Sequence, residues 1–188
     1  MTTENNVFTI ADLIIGRRTI HEFKPESVDI EKIKQAIDVA RWAPNHYLTE
    51  PWHVYLLGKE TINAIIELNT RLVRSNNGDE AAQAKKERWS GIPGWMVITC
   101  DKSSDNLRQQ EDYAACCCMV QNILLCLWNE NIGVKWSTGT ITRDDRFYDL
   151  LWIDPSAEVV IGMFWYGYAA EIPAMTRKHL EQTLVELP

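Results

Sequence analysis

The feature that most constrains the fold is a long apolar segment that runs from Asp112 to Asn129. Its apolar residues are nearly continuous instead of being confined to one stripe, which is typical of a helix at the centre of a protein. The stretch Ala114–Trp128 is too apolar to leave a face in water. We therefore expect the rest of the chain, and a second copy of it, to pack around this helix.

Shorter helical and strand-like segments surround this central helix. Helices are predicted over Ile10–Gly16, Ile30–Ala43 and about Lys59–Trp89, the last with a polar break at Ser75–Asp79. The predicted strands are His53–Leu57, Trp95–Cys100, Val134–Trp136 and Val159–Trp165. Because helices rather than tight turns separate the strands, this order predicts an α+β fold in which helices sandwich a mostly antiparallel sheet.

No linker, repeat or low-complexity tract divides the chain, so residues 1–188 are expected to form one domain. The C-terminal arm, about residues 168–188, has helical promise but too little apolar surface to fold alone. We expect this arm to pack on the partner subunit of a homodimer. The opening MTTENNVF lacks the basic and apolar stretches of a secretory signal, and no apolar run reaches the roughly 18 residues of a membrane span.

Five cysteines and a net charge of -7 at pH 7 narrow the class of protein. Cys116, Cys117 and Cys118 are neighbours on a predicted helix and point in different directions, so they cannot form a disulfide framework or chelate one metal. We expect free, buried cysteines that pack as small apolar side chains, as is typical of a cytoplasmic protein. The net negative charge argues against nucleic-acid binding, but it does not exclude one small anionic ligand in a local basic pocket.

Candidate binding residues lie at the ends of the predicted elements. The sequence has no GxGxxG, GxxxxGK[ST], CxxC or HExxH motif, and its four histidines lack metal-ligand spacing, so no metal site is predicted. Arg17-Arg18-Thr19 combines two guanidinium forks with a hydroxyl, which suits a phosphate, and Arg177-Lys178 is a second basic pair. Taken alone, the first pair is better explained as a solvated helix C-terminus, where cations complement the helix dipole.

Five motifs together resemble the nitroreductase family of FMN-dependent oxidoreductases. They are RRTIHEF, RWAPNHYLTEPWHVYLL, AACCCMVQNILLCLWNENIG leading into VKWSTG, VVIGMFWYGYAAE and TRKHLEQTL. The resemblance covers nearly the whole chain, and the first two motifs with their spacing are the most specific. It implies an intertwined homodimer with one FMN in each of two pockets at the interface.

The resemblance also implies which residues bind FMN. They are Arg17, Arg18, Thr19, His21, Pro44, Asn45, His46, Ser137, Thr138, Gly139 and Arg177. Arg17 and Thr19 would contact the phosphate or the ribityl chain, with Arg18 beside them partly through its backbone, and Arg177 would pair with the phosphate. The segment 44–46 would reach the flavin from the partner subunit, and the loop 137–139 would place a backbone N–H near flavin N5.

Some positions depart from the family pattern or stay open. His21 occupies a position where the family usually has Arg or Lys. Leu48 occupies a position where many members have a polar residue that contacts the flavin. His21 either lies near the flavin N1–C2=O edge or turns to solvent beside Phe23. The resemblance does not decide whether Lys85 or Lys86 contacts the pyrimidine edge.

The implied activity is hydride transfer from NADH or NADPH through FMN to a small oxidised acceptor such as a nitroaromatic or a quinone. No catalytic side chain is expected, because the cofactor carries the chemistry. One alternative is a flavin-binding or storage protein in which Trp42, Trp89 or Trp95 blocks nicotinamide access. Another is a reductive dehalogenase-type relative; such relatives usually add a lid, and the candidate segment here, about residues 69–87, is short and charged.

Overall fold

A computed structural model describes residues 9–188. The expectation that no secretory signal is present rests on residues 1–8 and lies outside the described part. The helices are α1 (Ile10–Gly16), α2 (Ile30–Ala40), α3 (Lys59–Ser90), α4 (Asn106–Asn129) and α5 (Asp145–Leu151). The strands are β1 (Trp52–Leu56), β2 (Gly94–Asp101), β3 (Ile132–Ser137) and β4 (Glu158–Tyr168), and short 3₁₀ turns span His46–Leu48, Thr140–Arg143 and Leu180–Gln182. Within residues 9–188, no helix is long and apolar enough to cross a membrane.

The four strands form one antiparallel sheet in the order β1-β2-β4-β3. Alternate residues of β2 point to opposite faces, as the pleat requires. Met96 and Ile98 pack with α2 and α4 on one face, whereas Trp95 and Val97 pack with α3 and α5 on the other. The predicted α+β sandwich with a mostly antiparallel sheet is therefore confirmed.

The central helix α4 begins earlier than predicted. Asp105 caps it by accepting hydrogen bonds from the backbone N–H groups of Leu107 and Arg108, so the helix starts at Asn106 and not at Asp112. Its first turns are polar and carry no apolar periodicity, which is why the sequence pattern missed them. Helix α2 ends at Ala40 instead of Ala43, because the chain turns there before a proline.

Helix α3 consists of two arms that meet at Gly78, whose φ of 86° interrupts the helix inside the predicted polar break. The arms fold back on each other, since Lys86 Nζ of the second arm lies 2.5 Å from Glu67 Oε1 of the first. A straight helix would separate those residues by roughly 28 Å. Helix α5, a seven-residue helix capped by Asp144, was not predicted from the sequence.

The expectation that the cysteines are buried is confirmed for two of the five, and the expected helical character of the C-terminal arm was wrong. Cys100 and Cys116 are buried, but Cys118 is exposed on α4, and the other two cysteines are partly buried. All five are free thiols. The C-terminal arm forms only the single turn Leu180–Gln182, and nearly all of its residues from 170 onward are exposed. An arm without its own apolar contacts has little to stabilise a helix.

Candidate functional site

A cleft of about 470 Å³ brings together basic residues from the two ends of the chain. Arg17 follows the last residue of α1, and its backbone N–H caps that helix by donating to Leu13 O. Arg177 reaches the same cleft from the C-terminal arm. The cleft is lined by Ile14, Ile15, Arg17, Arg18, Gln121, Met175 and Arg177.

The electrostatics of this cleft favour an anionic ligand. Arg17 Nε is buried and has no hydrogen-bond partner among the described residues. Burial, followed by repulsion from Arg177 and Arg18, lowers the pKa of the Arg17 guanidinium. A buried N–H donor without a partner is costly. A phosphate in the cleft would supply both a hydrogen-bond acceptor and a compensating charge.

Arg18 has a different role from its neighbour. Its Nη1 donates to Ile15 O at 2.6 Å and Arg17 O at 3.0 Å, and its Nε donates to Pro173 O at 3.2 Å. The side chain therefore ties the start of the C-terminal arm to the end of α1 and positions the arm that carries Arg177. The motif alone did not reveal this function, because the arm's path is a tertiary feature.

Thr19 lies beside the edge of the sheet. It forms a parallel bridge with Val134 of β3, and Ile20 N donates to Val134 O at 3.2 Å. Strand β3 leads directly into the loop 137–139. The structure thus brings the Arg17–Thr19 segment and the 137–139 loop to the same sheet edge.

The loop 137–139 offers free backbone donors. Thr138 N–H and Gly139 N–H donate no hydrogen bond within the part of the chain that the structure describes. A Cβ at Gly139 would have one neighbour within 4 Å, Ser137 Oγ at 3.9 Å. With a φ of -60° the conformation does not require glycine, and the space in front of Gly139 is open. That space admits a ligand close to the backbone.

The segment 44–46 belongs to an exposed loop. Pro44 and His46 are exposed, and the Trp42 side chain just before them is 81% exposed. Asn45 instead points into its own loop, where Asn45 Nδ2 donates to Thr49 Oγ1 at 3.0 Å. Leu48, which departs from the family pattern, is also exposed. None of these residues lines the arginine cleft of the same chain.

His21 is exposed and lines a separate small cleft of about 190 Å³ with Glu22, Glu171 and Pro173. Its exposure is consistent with the alternative in which it turns to solvent. The adjacent Phe23 packs against the core on the α3 side of the sheet.

The two candidate lysines differ in their surroundings. Lys86 is engaged in the ion pair within α3, whereas Lys85 Nζ lies 5.7 Å from the Trp89 ring centroid. Burial and then repulsion from Arg88 lower the pKa of Lys85 and also that of Lys135 on β3. Lys85, Arg88 and Lys135 form no ion pair within residues 9–188. Arg88 and Lys135 were not among the candidate residues predicted from the sequence, because a single cation in a helix or strand has no motif.

Two of the three tryptophans that could block nicotinamide access are buried in the core and do not reach the protein surface. Trp89 and Trp95 are buried and pack edge to face with Trp165, at centroid distances of 5.1–5.4 Å. Trp42 is the exposed one of the three. Steric exclusion of a nicotinamide would therefore depend on Trp42.

Comparison with known proteins identifies the family. The model of the Nitroreductase family matches residues 14–168, most of the chain. This chain belongs to the nitroreductase family. The match includes the Arg17–Thr19 segment and the 137–139 loop and ends just before the C-terminal arm.

Individual members of the nitroreductase family are similar over nearly the whole length. The Bacillus subtilis (strain 168) protein YfhC, which carries an NAD(P)H nitroreductase assignment, is 28% identical over 174 residues, 90% of this chain and 89% of YfhC. A nitroreductase-like family protein from Bacillus cereus has the same fold, with a TM-score of 0.86, 24% identity, and coverage of 100% of this chain and 98% of that one. A nitroreductase-type protein from Desulfovibrio desulfuricans, solved in complex with FMN, has a TM-score of 0.76, 21% identity and 99% coverage of both chains.

The nitroreductase fold of this chain thus gathers part of the predicted site. Arg17 and Arg177 line one cleft, and Thr19, two residues after Arg17, bridges to Val134 of β3, the strand that leads into the 137–139 loop. His21 and the 44–46 segment lie outside the arginine cleft. Within residues 9–188, no cluster of three or more His, Cys, Asp or Glu side chains could hold a metal ion.

Proposed function

We propose that this protein is an FMN-dependent oxidoreductase that transfers a hydride from NADH or NADPH to a small oxidised acceptor such as a nitroaromatic or a quinone. The observation that carries the proposal is the buried, unpartnered Arg17 Nε beside Arg177 in a cleft of about 470 Å³. Membership of the nitroreductase family supports it. The nicotinamide assignment carried by YfhC and the FMN in the Desulfovibrio protein support the choice of donor and cofactor.

The residues of the cleft fit the phosphate of FMN. Two guanidinium groups, Arg17 and Arg177, would neutralise the dianion, and the Thr19 hydroxyl would add a neutral hydrogen bond. Arg18 would act indirectly, by holding the arm that carries Arg177. FMN, rather than FAD, is proposed because the arginine cleft suits a single phosphate group and the sequence has no Rossmann fingerprint for an adenine half.

The remaining contacts would lie farther along the sheet edge. The backbone N–H groups of Thr138 and Gly139 are free to donate to the flavin, and the space in front of Gly139 lets the ring approach. When bound, FMN supplies the hydride chemistry, so the protein needs no acid–base pair. Lys85, which is not engaged by a carboxylate as Lys86 is, is the better candidate for the pyrimidine edge.

We further propose a homodimer that completes each site. Several large apolar side chains, including Ile15, Trp42, Tyr47 and Leu48, are more than 70% exposed in the single chain. Side chains of this kind are typically covered by a subunit interface, and an obligate interface buries about 2,000 Å² or more. In such a dimer the exposed 44–46 segment would reach the flavin of the partner subunit.

The cofactor provides the first test. The purified protein should be yellow and should release FMN on denaturation, at about one FMN per chain. FMN-free protein reconstituted with FMN should oxidise NADH or NADPH in the presence of a quinone or nitroaromatic, whereas incubation with FAD should restore much less activity. Colourless protein that cannot be reconstituted with FMN would refute the proposal.

A further inference from the structure

The loop 44–50 has a backbone that needs external support. Tyr47, Leu48 and Glu50 have φ values of 61°, 51° and 46°, a region that is disfavoured for residues with a Cβ. The side chains of Tyr47 and Leu48 are 76% and 82% exposed. Packing of these side chains within the chain therefore cannot hold the loop in this shape.

A chain of side-chain hydrogen bonds closes the loop instead. Asn45 Oδ1 accepts from the backbone N–H of Glu50 at 2.7 Å, and Asn45 Nδ2 donates to Thr49 Oγ1 at 3.0 Å. The Thr49 hydroxyl in turn donates to Asp112 Oδ1 at 2.6 Å. These bonds connect both ends of the loop to the central helix α4.

Asp112 is a polar exception on a face of α4 that otherwise packs in the core. It is 4% exposed, and the neighbouring buried residues on the helix include Ala115, Cys116 and Met119. Its nearest cation, Arg108, lies 3.7 Å away and is half exposed. A buried carboxylate is costly unless it is hydrogen-bonded, and Thr49 supplies the short hydrogen bond to it.

The exposed side of the loop carries Pro44, His46, Tyr47 and Leu48. We propose that Asp112 is a positioning residue: through Thr49 and Asn45 it holds the loop 44–50 in the shape with which one subunit completes the FMN site of the other. This inference rests on the proposed function. Within the described residues, Asp112 does not line the arginine cleft and forms no hydrogen bond with the 137–139 loop.

FMN affinity of the full-length homodimer tests the inference. Asp112→Ala and Thr49→Val should each raise the FMN Kd about tenfold, because a displaced loop loses well-oriented contacts. Asp112→Asn keeps an oxygen that accepts from Thr49 and should raise the Kd less than about threefold. Glu111→Ala is the matched control, since the Glu111 side chain makes no hydrogen bond or ion pair within the described residues, and it should bind FMN as wild type does.

A mixed dimer separates loop positioning from a general loss of stability. One subunit carries Arg17→Ala and the other carries Asp112→Ala, with different affinity tags for purification. If the loop acts on the partner's site, both defects fall in one site and the other site is intact. Half of the sites should then bind FMN with the wild-type Kd.

Two results would overturn the inference while leaving the proposed function standing. One is wild-type FMN affinity in both Asp112→Ala and Thr49→Val, and the other is a mixed dimer with no site of wild-type affinity. If Asp112→Ala does not fold, Thr49→Val takes its place in the mixed dimer, since Thr49 lies in a surface loop. Wild-type protein that binds no FMN would refute both proposals.

Discussion

Replacing Arg17 by alanine should weaken FMN binding about 30-fold and should not destabilise the FMN-free protein. The first effect follows from the buried, unpartnered Arg17 Nε, because a hydrogen bond to a charged group contributes about 1.5–3 kcal/mol. A loss of about 2 kcal/mol corresponds to about 30-fold in Kd. The second effect follows from the burial of the Arg17 guanidinium and from its repulsion by Arg177 and Arg18, because the substitution removes both costs.

Thermal unfolding with and without FMN measures both effects. At an FMN concentration of about 100 times the wild-type Kd, binding stabilises wild type by about 2.7 kcal/mol. A variant with about 30-fold weaker affinity gains only about 0.9 kcal/mol at that concentration. The difference of about 1.8 kcal/mol corresponds to roughly 4–7 °C in Tm for a chain of this length.

Two further variants sharpen the test. Arg17→Lys keeps the charge but loses the Nε–H donor, so its FMN affinity should be intermediate. Arg74→Ala makes the same change in charge at an exposed residue paired with Asp79, and its FMN affinity should equal that of wild type. An Arg17→Ala protein that bound FMN as tightly as wild type would show that the phosphate does not bind in this cleft.

Three other predictions address the loop, the arm and the sheet. Gly139→Ala should leave the Tm of the FMN-free protein unchanged but should weaken FMN binding, measured by fluorescence. Gly162→Ala should instead destabilise the fold itself, because its Cβ would come within 2.2 Å of an indole ring. Truncation before Ile172 removes the arm that carries a cleft arginine. Light scattering should then detect loss of the dimer, and the flavin absorbance should show loss of FMN. A stable flavin-loaded monomer would contradict this prediction. Burial and then the hydrogen bond to Glu158 raise the pKa of Tyr55 to about 12. The protonated Tyr55 therefore contributes its full stabilisation below the unfolded-state pKa of about 10. This stabilisation is lost as the pH rises through about 12. Urea unfolding between about pH 9 and pH 12 should therefore show a shallower decline for Tyr55→Phe, and an unchanged decline would refute this contribution.

The architecture was predictable because it depends on apolar pattern. The α4 segment, the alternation of helices with strands and the break that contains Gly78 are all visible as changes in periodicity. Element ends were less predictable, because caps such as Asp105 extend a helix over polar residues that carry no periodic signal. Helix α5 was missed for a similar reason, since seven residues cover only two turns.

The site was predictable only in part. A motif such as Arg17-Arg18-Thr19 identifies residue types suited to phosphate, but it cannot distinguish Arg17, which faces the cleft, from Arg18, which binds backbone carbonyls. That difference arises from the path of the C-terminal arm. The hydrogen bond between Thr49 and Asp112 likewise joins residues far apart in the sequence. Such partners become apparent only when the fold brings them together.

The most direct test of the central claim is to add NADH or NADPH, without oxygen, to the FMN-loaded protein and to record the long-wavelength absorbance band of the flavin. We predict that at least one of the two nucleotides bleaches this band, and that a quinone or nitroaromatic added afterwards restores it. A protein that keeps its FMN but is bleached by neither nucleotide would be a flavin-binding protein, and that result would contradict the assignment as an oxidoreductase.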